Sequence, residues 1–128
     1  MHFDRRKEKR QACNLNVGVF LSEGKNGPAI TPSFQGQLLN ISRRGADIAL
    51  DEIMYDRTHL ALAPMESKLV VLNVVLPAED VDNPLTVSAL PVWFDKKFDT
   101  ELPPFRIGLH FTEILTSKQY QIINNHCS

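Results

Sequence analysis

Two short motifs carry the side chains of this sequence that could do binding chemistry. The first is a pair of arginines near the start of the chain, Arg6 and Arg10, spaced as RxxxR. The second is the string Asn40-Ile41-Ser42-Arg43-Arg44-Gly45, which reads NxSxxG. A guanidinium binds a phosphate or the O6/N7 edge of guanine through two parallel hydrogen bonds, and Asn, Ser and backbone N–H groups add polar contacts. Together the motifs predict a clamp for an anion that carries purine bases.

Most of the chain alternates between apolar and polar residues or forms short apolar runs, which predicts β-strands. These strands must therefore position the two motifs. The predicted strands are 15–21, 34–41, 46–50, 68–76, 85–94 and 105–111. Pro91 lacks a backbone donor, which predicts an edge position or a bulge in the fifth strand. Six short strands favour an antiparallel barrel or sandwich.

The end of the chain changes period and predicts a short helix over 116–125. Thr116 and Gln119 match a capping box, in which each side chain accepts a backbone N–H of the other residue. Leu115, Tyr120 and Ile123 would form the apolar face that packs on the barrel. The pattern of 51–67 is weaker and predicts at most a helical turn around 55–62.

Composition places the chain among small soluble proteins with one core. It has 128 residues, 43% of them hydrophobic, and a formal net charge of −1, which argues against a general nucleic-acid binder. The first ten residues nevertheless hold five basic and two acidic side chains, so they form either an anion-attracting arm or a solvated tail. No run of eighteen apolar residues occurs, which predicts a cytoplasmic protein without stable membrane insertion. Cys13 and Cys127 are expected to be reduced thiols.

The two motifs, in this order and about thirty residues apart, resemble the PilZ domain family, whose members are receptors of the bacterial second messenger cyclic di-GMP. Val92-Trp93-Phe94 and the strand 105–111 also look like the closing strands of that family. The resemblance implies a six-stranded antiparallel split barrel with a short C-terminal helix. It divides a single stand-alone domain, 1–128, into a mobile basic arm (1–13), the barrel (14–112) and the helix (116–125).

The resemblance also implies roles for individual residues. Arg6 and Arg10 match the arginines that clasp the guanines and phosphates, and Asn40, Ser42 and Gly45 match the second motif. The chemistry of these residues agrees with such roles. Asn40 offers an acceptor and donors, and Ser42 can donate to a phosphate or cap a turn. Gly45 would allow a positive φ or close ligand approach. Each motif taken alone could instead be a basic arm or a plain turn.

Further residues complete the expected site. Arg5 directly precedes the first motif, and in similar proteins an Arg there accompanies two intercalated ligand molecules. Arg43 and Arg44 depart from the small or acidic residues common in the second motif, so they add phosphate contacts or lie in solvent. Trp93 could stack on a base or simply fill the rim of the barrel.

The expected function is that of a cyclic di-GMP receptor and adaptor, with neither a cofactor nor a metal. About four charge-assisted hydrogen bonds, less the cost of ordering the arm, support an affinity near micromolar or better. Ligand binding would order the arm and change the surface offered to a protein partner in motility, adhesion or exopolysaccharide production. The oligomeric state is left open.

Three other functions compete with this one. A protein-interaction module of the same fold that does not bind the nucleotide is the main alternative, and nucleic-acid binding through the arm is a weaker one. An enzyme is not expected, because the four histidines are scattered and no nucleophile–base signature is present. The acidic loop with Glu79, Asp80 and Asp82 lacks the Gly and terminal Glu of an EF-hand.

Overall fold

The strands predicted from the alternating pattern form a closed antiparallel barrel. A computed structural model describes residues 11–98 and 101–127 of the chain. In chain order the elements are β1 (Gln11–Glu23), β2 (Phe34–Ile41), β3 (Gly45–Leu50), β4 (Met54–Tyr55), β5 (Thr58–His59), α1 (Leu62–Glu66), β6 (Val70–Leu76), β7 (Leu85–Lys96), β8 (Phe105–Phe111) and α2 (Ser117–His126). The six-stranded barrel has the order β1-β2-β3-β8-β7-β6 and closes between β6 and β1. All six strand pairs are antiparallel, which confirms the predicted fold class.

The core lies inside the barrel, where every second residue of each strand points. Fully buried side chains include Val19 and Leu21 on β1, Ile48 and Leu50 on β3, and Ile107 and Leu109 on β8. Complete burial of each such side chain contributes about 1.5–3 kcal/mol to folding. Because the period of a strand is two, the residues between these core positions must face away from the core. Those outward residues include the candidate ligand-binding positions.

Pro91 interrupts the pairing of β7 with β8, as the sequence predicted. Pro91 itself is in register with Leu109, and the register shifts between Pro91 and Trp93, so Val92 is the extra residue of a bulge directly after the residue that cannot donate to the ladder. Beyond the bulge, Trp93 pairs with Gly108 and Asp95 pairs with Arg106. The bulge therefore determines which residues of β7 lie on the outer face beside β8.

The prediction of a helical turn around 55–62 was wrong in its position. Met54 pairs with His59 and Tyr55 with Thr58, so this stretch forms a small two-stranded ribbon. Its turn contains Asp56 with a φ of 54°, a left-handed conformation in which Asp is better tolerated than most residues. The helix begins only at Leu62, after the ribbon. Two strands of two residues each are too short for a period-two pattern to reveal them.

The C-terminal helix α2 begins as its capping box predicts. The hydroxyl of Thr116 accepts the N–H of Gln119 at 3.0 Å, and the Gln119 side chain accepts the N–H of Thr116 at 2.9 Å. Leu115 and Ile123 are buried in the core, and Tyr120 packs against it. The helix runs from Ser117 to His126, one residue later at each end than predicted, and covers the barrel next to β1.

Two expectations about the ends of the barrel need correction. Cys13 and Cys127 were predicted to be reduced thiols, but they form a disulfide between β1 and the residue that follows α2. They are 114 residues apart, so only the folded arrangement brings them together. In addition, β1 already includes Gln11, so residues 11–13 belong to the barrel and not to the arm.

The disulfide has a measurable consequence for stability. Replacing both cysteines (Cys13→Ser with Cys127→Ser) should lower the free energy of unfolding by about 2–5 kcal/mol, because a long loop is no longer closed in the unfolded chain. Urea unfolding without reductant measures this difference, and it should vanish when both proteins are unfolded in dithiothreitol. Two reactive thiols in unreduced, denatured wild type would contradict the disulfide.

Candidate ligand-binding site

The second motif forms the hairpin corner between β2 and β3. The N–H of Ser42 donates to the Gly45 carbonyl at 2.9 Å, and the Ser42 hydroxyl accepts the N–H of Arg44 at 3.2 Å. Ser42 is buried and thus caps the turn, one of the two roles predicted for it. Gly45 is also buried, but it does not adopt the positive φ that the sequence allowed; Gly24, with a φ of 70°, does. Close approach of a ligand is therefore what remains of the argument for glycine at position 45.

The two arginines of the corner are held against the C-terminal segment. The Arg43 Nε donates to the carbonyl of Leu115 at 2.8 Å, and the Arg43 carbonyl accepts the N–H of Leu115 at 2.8 Å. The carbonyl of Arg44 accepts the N–H of Phe111 at 2.8 Å. Both side chains are half-buried, so they do not simply extend into solvent. The corner is thus tied to β8 and to the start of α2.

A row of four residues crosses the outer face of the barrel beside this corner. Asn40 on β2 pairs with Asp47 on β3, Asp47 pairs with Gly108 on β8, and Gly108 pairs with Trp93 on β7. We call Asn40, Asp47, Gly108 and Trp93 the cross-strand row. The Nδ2 of Asn40 donates to Oδ2 of Asp47 at 2.8 Å. The row therefore presents an amide, a carboxylate and an indole side by side.

Trp93 lies flat on the backbone of Gly108. A Cβ at position 108 would be 2.0 Å from Nε1 of Trp93, closer than real Cβ atoms approach any heavy atom of a neighbouring side chain. The indole is still 40% exposed, so it is a rim aromatic with an accessible surface and not a core residue. An exposed aromatic ring that rests on a rigid strand is suited to stacking on a nucleobase.

A second row lies directly above the first, at the corner itself. Gly45 on β3 pairs with His110 on β8, and His110 pairs with Leu90 on β7. His110 is exposed, as expected for a residue between the buried Leu109 and Phe111. The imidazole thus lies on the same outer face as Asn40 and Asp47.

The chain enters the barrel next to the corner. Gln11 pairs with Ile41, and Ala12 pairs with Asn40, so the start of β1 runs alongside the second motif. Arg5, Arg6 and Arg10 lie outside the described residues, and their placement stays a prediction. Of the predicted site residues, the structure brings together Asn40, Ser42, Gly45, Arg43 and Arg44 at the corner, with Trp93 at the far end of the cross-strand row.

Sequence reasoning missed Asp47 and Gly108. A signal for Asp47 was present, because Ser42 to Gly45 reads as a hairpin with a two-residue loop, and counting outward from it pairs Asn40 with Asp47. Gly108 gave no comparable signal, since its partner Trp93 follows a bulge that shifts the register by one residue. Its role became visible only from the position of the indole.

The family model for the PilZ domain matches residues 4–128. The chain belongs to the PilZ domain family. PilZ domains serve as receptor and adaptor modules.

A solved structure shares the fold of this PilZ domain. It is the Bacillus subtilis inhibitor of motility, MotI/DgrA, with a TM-score of 0.51 and 15% sequence identity. The alignment covers 97% of this chain and 50% of that one, so the chain spans about half the length of MotI. A search of curated proteins found no match. Among the residues described, no helix is long and apolar enough to cross a membrane, and no three His, Cys, Asp or Glu side chains are grouped to hold a metal.

A small cavity lies along β7, beside the residues that follow Trp93. It measures about 200 Å³ and is lined by Ile53, His59, Phe94, Asp95, Lys96 and Phe105. Sites for drug-sized ligands are roughly 300–1,000 Å³, so this cavity is too small for a dinucleotide. One of its lining residues, His59, has a structural role instead. Its Nδ1 accepts the N–H of Ala61 at 3.1 Å and that of Leu62 at 2.9 Å, which stabilises the start of α1.

Burial lowers the pKa of His59 below its ordinary value of 6.5, and the nearby carboxylate of Glu66 opposes this effect. The unfolded chain therefore binds a proton more readily than the folded one. The stabilising contribution of neutral His59 is fully present above about pH 6.5 and is lost as the pH falls below it.

A matched substitution isolates this pH dependence. His59→Asn keeps a side-chain acceptor for the two N–H groups but removes the titration. Between about pH 6.5 and pH 5, wild type should lose more stability than His59→Asn, as measured by urea midpoints. The other histidines are common to both proteins and cancel in the comparison. Parallel pH profiles would contradict the assigned role of His59.

Proposed function

We propose that this PilZ domain is a receptor for cyclic di-GMP that passes the signal to a protein partner. The observation that carries the proposal is the register of β1: Gln11 pairs with Ile41, between Asn40 and Ser42 of the second motif. Arg10 precedes Gln11 by one peptide bond, and consecutive Cα atoms are about 3.8 Å apart. Covalent reach therefore allows Arg10 to contact the corner in this proposal.

The chemistry of the corner and the cross-strand row supports this ligand. Arg5, Arg6 and Arg10 would address phosphates and the O6/N7 edge of guanine, both of which a guanidinium can bind through two hydrogen bonds. Asn40 and Ser42 would complete the polar contacts, and Gly45 would allow the ligand to approach the turn closely. Trp93 would stack on a base through the face that Gly108 does not cover.

Arg43, which the sequence placed either on a phosphate or in solvent, mainly positions another segment of the chain in this proposal. Its Nε is engaged by the Leu115 carbonyl, so it positions the C-terminal segment against the corner and leaves only its terminal nitrogens for a phosphate. Through Arg43, a change at the corner reaches the start of α2. That connection offers a route from the ligand to the surface that a partner would recognise.

Several finer points belong to the same proposal. Arg5 favours two intercalated ligand molecules per chain. The partner would act in motility, adhesion or exopolysaccharide production, and the shared fold with an inhibitor of motility agrees with the first of these. The chain would be non-enzymatic, would bind no nucleic acid and would work in the cytoplasm. Disulfides are rare in the cytosol, so reduced Cys13 and Cys127 in the cell would support this location, and an intact disulfide would argue against it.

The second candidate function is a protein-interaction module that keeps the fold but does not bind the nucleotide. The half-buried state of Arg43 and Arg44 favours it, because those side chains contribute to packing as well as to charge. The presence of both motifs and the position of Trp93 favour the receptor.

Isothermal titration distinguishes the two functions. Wild type should bind cyclic di-GMP with a dissociation constant near micromolar or better and should bind GTP far more weakly. The Arg6→Ala, Arg10→Ala variant should lose this binding, whereas Lys7→Ala with Lys9→Ala, which removes the same charge from the same segment, should retain most of it. A ratio near two ligands per chain supports the role of Arg5. Folded wild type that does not bind would leave the interaction module as the function.

A further inference from the structure

We propose that Asp47 is a positioning residue that orients the amide of Asn40 for guanine. The inference rests on the proposed function, because it concerns the same ligand. It goes further in naming a specificity determinant outside both sequence motifs.

The geometry of the pair is well defined. Asn40 and Asp47 are direct partners across β2 and β3, and Nδ2 of Asn40 is 2.8 Å from Oδ2 of Asp47. Asp47 is only 8% exposed, so the hydrogen bond is shielded from competing water. On its other side Asp47 pairs with Gly108, which supports the indole of Trp93. The carboxylate is thus held between the two groups that would meet a base.

The chemistry of a carboxylate determines which way the Asn40 amide faces. An ionised carboxylate only accepts hydrogen bonds, so the NH₂ group of Asn40 must point toward Asp47. The Oδ1 of Asn40 is then at the other end of the amide group from the atom that bonds Asp47. In this orientation Asn40 presents an acceptor, which is what the N1–H and the exocyclic amine of guanine require.

The same contact would be lost with aspartate at position 40 in this chain. Two carboxylates in hydrogen-bond contact repel each other, and a like charge disfavours ionisation of both. Exchanging the two residues removes the conflict, because the carboxylate would then be on β2 and would accept from an amide on β3. The structure therefore assigns the pair, and not position 40 alone, as the unit that reads guanine.

A purely structural role for Asp47 makes a different prediction. If the pair only joined β2 to β3, substitutions would change stability and affinity for any ligand of this shape together. If Asp47 orients an acceptor toward guanine, substitutions must change the discrimination between guanine and a base without the 2-amino group. Cyclic di-inosine monophosphate, which lacks that amine, is the matched probe.

Four proteins test the pair: wild type, Asn40→Asp, Asp47→Asn and the double exchange that combines both substitutions. Titration calorimetry at pH 7.5 with cyclic di-GMP and with cyclic di-inosine monophosphate gives the affinity and the guanine preference of each. Asn40→Asp should bind cyclic di-GMP about 10-fold or more weakly, the loss expected for one charge-assisted hydrogen bond. Asp47→Asn should lower the guanine preference, and the double exchange should restore affinity to within about 3-fold of wild type.

Asp51→Asn is the matched control, since Asp51 is exposed just after β3 and the substitution removes the same charge. It should leave both affinity and guanine preference unchanged. Asp47→Asn introduces no repulsion, so its guanine preference decides the question even when Asn40→Asp fails to fold.

The outcomes separate the inference from the function on which it rests. Additive losses in the double exchange, or an unchanged guanine preference in Asp47→Asn, would overturn the role of Asp47 and leave the receptor intact. A wild type that binds neither dinucleotide would overturn both.

Discussion

The pairing of β1 with β2 is the constraint on which the arrangement of the site depends. β1 closes the barrel, because it pairs with β2 on one side and with β6 on the other. In doing so it brings the start of the described chain to the hairpin corner at Ser42 to Gly45. The two motifs are about thirty residues apart in sequence, and strand register, not local conformation, places Gln11, the residue that follows the first motif, beside the second motif. Any change that shifted β1 by one residue would turn its core side chains outward and move Gln11 away from Ile41 at the same time.

The same barrel explains how a binding face can be both stable and accessible. Ile48 and Ile107 point into the core from the strands that carry Asp47 and Gly108 outward. The cross-strand row is therefore attached to buried residues on each strand, and its side chains are held without needing a pocket of their own. The C-terminal segment adds a second support, since Leu115 is bonded to Arg43 and Cys127 to Cys13. A ligand at the corner would thus meet a rigid surface whose far side is continuous with α2.

Local patterns predicted the parts of the fold that local chemistry determines. Alternation identified the strands, the missing donor of Pro91 located the bulge, and Thr116 with Gln119 marked the start of α2. The disulfide, by contrast, joins cysteines that nothing local connects, and the β4–β5 ribbon is too short to show a period. The corner was recognised from Asn40, Ser42 and Gly45, but Asp47 belongs to the site only because the hairpin pairs it with Asn40. Gly108 belongs to it only because an indole lies on its backbone. Residues whose role depends on tertiary contact were the ones that sequence reasoning missed.

The central claim is that the cross-strand row is the surface on which the ligand binds, and Trp93 reports on it directly because it is the only tryptophan in the chain. The measurement is its fluorescence during titration with cyclic di-GMP, alongside calorimetry on the same sample. The account predicts saturable quenching that follows the calorimetric isotherm. It also predicts that Gly108→Ala, which displaces the indole, shifts the emission before ligand is added and weakens the quenching. Calorimetric saturation with unchanged Trp93 fluorescence would contradict the claim.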